Sequence, residues 1–176
     1  MSSYHAPTAT LQHDFRACMA EYPTGISVVT AANHERIAGM TLNSFVSVSL
    51  DPLLVLVSLA ATSRTAAVIE HGGRFTISFL QRWQVHVAQA FARAGATFAY
   101  NYISDVNGHL EVRDALAVIR CRTAGLVPAG DHVLVLGNVL DFERRGGEPL
   151  VFHRGRIGGM RPDLETSVGG WEVLDL

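Results

Sequence analysis

The stretch GMTLNSFVSVSLDPLLVLVSL, Gly39 to Leu59, restricts what this chain can fold into more than any other segment. Together with Ile37 and Ala38 it reads as three strands, IAGMTL, SFVSVSL and LLVLVSL. Asn43-Ser44 separates the first two, and the turn signal Asp51-Pro52 separates the second from the third. Thr41, Asn43, Ser44, Ser47, Ser49 and Ser58 are threaded through this apolar run. Buried hydroxyls and amides cost free energy unless they are hydrogen-bonded. Either the sheet satisfies these groups or a ligand does. Strand alternation puts Ser44, Val46 and Val48 on one face and Phe45, Ser47 and Ser49 on the other. Ser47 and Ser49 then fit a solvent-facing side. Thr41, Asn43 and Ser44 cluster at a strand-to-strand break, where backbone N–H groups are also unpaired. Such a break is either a plain turn or a seat for a flat heterocycle rich in carbonyls and ring nitrogens.

The rest of the chain surrounds these strands with more of the same. LQHDFRACMAEY spaces Leu11, Phe15, Cys18 and Tyr22 as an amphipathic helix stopped by Pro23. TGISVVTAA and RFTISFL read as strands, and TSRTAAVIEHGG as a short helix with a Ser or Thr cap and a glycine stop. QRWQVHVAQAFA predicts a helix with Trp83, Val87, Ala90 and Phe91 on one face. Arg93 to Asp114 is polar and loop-like. AVIRCRTAGLV, HVLVLGNVLDFE and PLVFHRG read as late strands, with PAGD and RRGGE as turns. Strands and helices do not alternate regularly, so the pattern predicts a mainly β, antiparallel barrel with a few peripheral helices. At 176 residues, one domain over residues 11–158 is expected, with tails at 1–10 and 159–176.

Composition narrows the function. Hydrophobic residues make up 48% and charged residues 17% of the chain, a balance that suggests a surface hidden in an oligomer. A net charge of −2 without basic runs gives no general attraction to nucleic acid. No apolar segment reaches the roughly 20 residues that cross a bilayer, and MSSYHAPTAT does not read as a signal peptide. Cys18 and Cys121 suggest no disulfide framework, which fits a reduced, cytoplasmic setting. There is no G-x-x-x-x-G-K-[ST], and no G-x-G-x-x-G between a strand and a helix; GRIGGM, after the last strand, reads as a turn. The scattered histidines lack metal-ligand spacing, and no G-x-S-x-G elbow is present.

Two further segments carry chemistry. ATSRT, Ala61 to Thr65, places two hydroxyls and an arginine at a helix start, where backbone N–H groups attract anions. Simple capping by Thr62 or Ser63 accounts for the same residues. GDHVL, Gly130 to Leu134, puts His132 where a turn enters a strand.

Taken in order, YPTGISVVTA, GMTLNSFVSVSLDPLLVLVSL, SRT, QAFA, CRTAGLVPAGDHVLVLGNV and PLVFHRGRI resemble the flavin reductase family. Its members supply reduced flavin to two-component monooxygenases. The resemblance runs from Phe15 to about Ile157 and rests on P-T-G, T-x-[NS]-S-F-x-S-V-S-x-D-P and G-D-H in combination. It implies an FMN-binding split β-barrel, usually a homodimer with flavin sites near the subunit interface. It implies an NAD(P)H:flavin oxidoreductase using FMN or FAD, with NADH or NADPH as hydride donor and a flavin-dependent monooxygenase as partner. By this resemblance Thr41, Leu42, Asn43 and Ser44 would border the isoalloxazine ring, and the flavin would satisfy their polar groups. Ser58, Leu59 and Ala60 would flank the ribityl chain, Ser63, Arg64 and Thr65 would take the phosphate, and His132 would lie on the nicotinamide side. A non-catalytic flavin carrier and an oxidase of the pyridoxamine-phosphate type are the alternatives.

Overall fold

The structure is a computed structural model that describes residues 8–34, 36–93 and 100–160. Its strands are β1 Thr24–Gly25, β2 Ser27–Ala32, β3 Ile37–Leu42, β4 Phe45–Leu50, β5 Leu53–Ala60, β6 Arg74–Phe79, β7 Ile103–Val106, β8 His109–Val112, β9 Ala117–Ala129, β10 His132–Arg144, β11 Leu150–His153 and β12 Arg156–Gly159. The helices are α1 Ala9–Met19, α2 Arg64–Gly72 and α3 Val85–Ala92.

One seven-stranded sheet dominates, in the order β3-β2-β6-β9-β10-β5-β4, and every pairing in it is antiparallel. Its two edge strands, β3 and β4, are neighbours in sequence, joined only by Asn43 and Ser44. Laid flat, such a sheet would hold its edges about 29 Å apart. The link from Leu42 to Phe45 reaches no more than about 11 Å. The sheet must therefore curl until its edges meet at Asn43-Ser44. Because β3 and β4 share no ladder, the barrel stays split along that seam. Next to the seam, the Phe45 ring packs against the core, edge-on to Phe79 at 4.8 Å between centroids.

Inside the barrel, Val29, Val57, Leu59, Phe75, Ile77 and Val135 pack with Val68 and Ile69 of α2. A second cluster joins Ile26, Val28 and Leu80 to Val87 and Phe91 of α3 and to Ile103 and Val112 of the β7–β8 hairpin. That hairpin also brings a carboxylate into the core. Glu111 Oε2 accepts from Arg120 Nε at 3.1 Å and Nη2 at 2.6 Å, and its Oε1 accepts from Arg145 Nη2 at 2.5 Å.

The mainly β, antiparallel split barrel agrees with the sequence. Four local expectations do not survive. Arg93–Asp114 is no simple loop: β7 and β8 lie within it. Their alternation is short, and their burial depends on Glu111 finding two arginines. GRIGGM contributes β12, paired with β11, and the turn is Arg154-Gly155. Trp83 is 55% exposed, because a 3-10 turn at Arg82–Gln84 precedes α3 and rotates it off the face that buries Val87 and Phe91. In β4, Val46, Val48 and Leu50 are exposed while Ser49 is half-buried, and a register shift between Ser47 and Ser49 interrupts the alternation. The amphipathic helix is present as α1, but none of its residues is buried. It begins at Ala9, inside the expected N-terminal tail, while residues 1–7 and 161–176 of the two expected tails lie outside the described residues.

Candidate functional site

One end of the barrel gathers most of the residues singled out in the sequence. Gly130, with φ 65°, makes the turn between β9 and β10. His132 then starts β10 directly across from Ala60, with Val133 opposite Leu59 and Leu134 opposite Ser58. The Asp131 carbonyl accepts from the Ala61 N–H at 3.0 Å, and the Ser63 N–H donates to the Ala60 carbonyl at 2.9 Å. These bonds lock together the G-D-H turn, the end of β5 and the start of α2. The His132 side chain is 44% exposed, with Nδ1 2.7 Å from Asp131 Oδ1. That hydrogen bond, with the charge of the imidazole, holds the exposed Asp131 carboxyl below the usual range.

The strand break joins the same end. Ser44 Oγ donates to the Ser58 carbonyl at 2.7 Å and accepts from the Ser58 N–H at 3.2 Å. One hydroxyl thus satisfies both backbone groups of Ser58 beyond the last β4–β5 pair, Phe45 with Val57. Asn43 Nδ2 donates to Thr24 Oγ1 at 3.0 Å, and Thr41 Oγ1 donates to the Ala88 carbonyl of α3 at 2.7 Å. The polar side chains of the break therefore find protein partners. These bonds tie the two edges of the split barrel to β5, β1 and α3.

Ser44, Ser58, Ala60, Ser63 and His132 are brought together by direct bonds or pairing. Asn43 lies beside them, while Thr41 turns toward α3. Leu42 and Leu59 are buried in the core cluster and have only backbone to offer. Ser63 caps α2, its Oγ accepting from the Ala66 N–H at 3.1 Å, which leaves its hydroxyl proton to donate. Thr65 is buried. Arg64, the first helical residue, is exposed and forms no ion pair among the described residues. Two residues at this end were missed as site residues: Thr24, the partner of Asn43, and Asp131, the partner of His132. Both lie inside the P-T-G and G-D-H motifs, which were the available signal. No group of three or more potential metal ligands occurs among the described residues.

Removing the Ser44 hydroxyl is expected to matter for stability. In Ser44→Ala both backbone groups of Ser58 lose their partner, and the cost should be about 1–3 kcal/mol. Urea unfolding followed by circular dichroism measures it; an unchanged midpoint would mean that water replaces the stitch without loss.

A split antiparallel barrel whose open end gathers hydroxyls, a helix start and a rim histidine defines a split-barrel protein with a donor-rich rim. The chain belongs to the flavin reductase like domain family, whose model matches residues 19–161. It is 41% identical over 150 residues to the NADH-dependent FMN reductase AsuE2 of Streptomyces nodosus subsp. asukaensis, covering 81% of each chain. It is 35% identical over 150 residues to the reductase component of 4-hydroxyphenylacetate 3-monooxygenase of Thermus thermophilus, covering 82% of this chain and 95% of that one. Among solved structures, the styrene monooxygenase flavin reductase of Pseudomonas putida S12 superposes with a TM-score of 0.78 at 32% identity, over 85% of this chain and 99% of the other.

Proposed function

We propose that the protein is an NADH:flavin oxidoreductase that reduces FMN and releases it to a partner flavin-dependent monooxygenase. The observation that carries this reading is the convergence of Ser44, Ser58–Ala60, Ser63 and His132 at the open end of a split barrel. Family membership supports the activity, and the relatives named for FMN and NADH favour those two over FAD and NADPH. The flavin, when bound, supplies N5 as the hydride acceptor. The chain's own residues bind and orient. The Ser63 hydroxyl, the N–H groups that open α2 and Arg64 present donors suited to a phosphate. Backbone at Asn43-Ser44, where the barrel edges do not pair, would face the ring. The hydrogen bond to Asp131 fixes the orientation of the His132 imidazole at the rim, on the donor side.

A homodimer is part of the proposal. Val46, Val48 and Leu50 of the edge strand β4, with Leu53, Leu140 and Phe142, expose apolar surface that a second copy would cover. A cytoplasmic setting is supported by two free cysteines: Cys18 is exposed, and burial pushes the Cys121 thiol up to about 12.

The test is NADH and NADPH oxidation by the purified chain with FMN, FAD and riboflavin, beside a flavin-free blank. Rapid NADH consumption with FMN is expected; flavin binding without turnover would instead mean a carrier. His132→Ala should raise the apparent KM for NADH about tenfold, the scale of one lost charge-assisted contact. A lowered Tm with unaltered donor kinetics would assign His132 to the fold alone.

A further inference from the structure

We propose that the β7–β8 hairpin is a pH-released strap: protonation of His109 undocks it from β2 and β6, which frees α3 and loosens the β3 edge beside the Asn43-Ser44 break. The link to flavin binding rests on the reductase reading; the strap itself does not. β8 lies across β2 and β6, outside the ladders of the main sheet. Side chains make the polar ties. The Leu110 carbonyl accepts from Thr30 Oγ1 of β2, and the Val112 N–H donates to Ser78 Oγ of β6 at 3.0 Å. His109 Nδ1 lies 3.3 Å from Thr76 Oγ1 of β6. Thr30, Thr76, Ser78 and His109 are all buried, so the seam under the hairpin is polar and dry.

A neutral imidazole fits this seam and a cation does not. Burial is the largest cause that holds the His109 ring below its ordinary 6.5, and Arg74 of β6 and Arg120 of β9 add to it by opposing a proton. Asp105 of β7 and Asp141 of β10 favour the proton with smaller effects. Glu111, on the same strand, is engaged by Arg120 and Arg145, and β2 brings no titratable side chain. The docked hairpin thus keeps His109 neutral, while a released hairpin titrates in water at the ordinary value. Docking is at full strength above about pH 6.5 and weakens as the pH falls below it. Glu143, held down to about 2, stays ionised through that range.

Release travels to the site through α3. Gln84 Nε2, just before α3, donates to the Arg113 carbonyl, just after β8, at 2.8 Å. Ile103 and Val112 of the hairpin share a core cluster with Val87 and Phe91 of α3. The same helix seats β3: its Ala88 carbonyl accepts from Thr41 Oγ1 at 2.7 Å. The Phe91 ring also lies so close to Gly39 that a Cβ there would come within 2.9 Å of it. Thr41 is two residues from the break, so a loosened α3 leaves the flavin edge without its backing.

The experiment is amide hydrogen exchange of the full chain between about pH 7.5 and 5.5, read by mass spectrometry and corrected for the intrinsic exchange rate. The opening constant of residues 103–112 should rise toward about tenfold per pH unit below the ordinary histidine value, the limit for one proton, while β5 and β10 change less than twofold. His109→Gln keeps a polar partner for Thr76 and removes the titrating group, so its opening should not vary with pH. Arg74→Gln removes one charge that opposes the proton and should flatten the rise; Arg74 is exposed, so this variant leaves the core intact. FMN at about a hundred times its Kd should suppress hairpin opening by up to about a hundredfold, because the opened form gives up the flavin edge. An opening constant that ignores pH, or that rises equally in His109→Gln, overturns the strap. If His109→Gln does not fold, Arg74→Gln decides, and a rise as steep and as wide as the parent's overturns it. Opening that ignores bound FMN sinks the link to the site alone. Acid-driven opening in a chain that binds no FMN leaves the strap standing and sinks the reductase reading.

Discussion

Glu111→Leu is expected to destabilise the protein by about 3–5 kcal/mol, the cost of removing one member of a buried ion pair. The Glu111 side chain is 2% exposed and that of Arg120 is 7% exposed, so neither can fall back on water. Without Glu111, Arg120 keeps only Asp141 at 2.6 Å and Glu143 at 3.4 Å, both on the solvent side. Arg145 loses the same carboxylate. The β7–β8 hairpin would then lose its polar tie to β9, leaving its contacts with β2 and β6. Urea unfolding gives the magnitude, and Glu111→Leu combined with Arg120→Met identifies the cause. The double variant should recover most of the loss, because it removes the stranded charge with its partner. A single variant within 1 kcal/mol of the parent would show that water or repacking reaches Arg120 readily. The exposed arm of the network adds a pH dependence. The hydrogen bond from Arg145 holds Glu143 down to about 2, from an ordinary 4.5. Its contribution is complete above about pH 4.5 and is lost as the pH falls toward 2.

This network was also the least legible part of the sequence. Glu111 sits in a polar stretch, and nothing local distinguishes a carboxylate facing two arginines from one facing water. Its partners lie on β9 and beyond β10, and only the closed sheet brings them together. The strands of Gly39–Leu59 were legible for the opposite reason, since β-branched runs and the Asp51-Pro52 turn are local signals. Two features of that stretch remained hidden. The Ser44 stitch depends on Ser58 of β5, which only the folded β4–β5 pair brings alongside. The exposure of Val46 and Val48 depends on β4 being an edge strand, which strand order decides and alternation does not. The site was legible as three motifs, and their meeting at one barrel end was not. It follows from β10 pairing with β5, which sets His132 opposite Ala60.

Arg64→Ala should weaken FMN and FAD by about 10- to 100-fold, the equivalent of roughly 1.5–3 kcal/mol for a hydrogen bond to a charged group. Riboflavin, which lacks phosphate, should change less than twofold. The local physics separates this outcome from a folding defect. Arg64 is the first residue of α2, where the helix dipole disfavours a cation. The cap itself belongs to Ser63, which the substitution leaves in place, and alanine is the better helix former. The fold alone therefore gives no reason for arginine here, and Arg64→Ala should hold or slightly raise the Tm while phosphate affinity falls. Arg64 opposes its own helix and has no ion-pair partner among the described residues, an arrangement that an external anion would explain. Fluorescence titration with the three flavins, beside a thermal melt, measures both quantities. Equal losses for riboflavin, FMN and FAD, accompanied by a lower Tm, would make Arg64 a structural residue and move the flavin phosphate elsewhere.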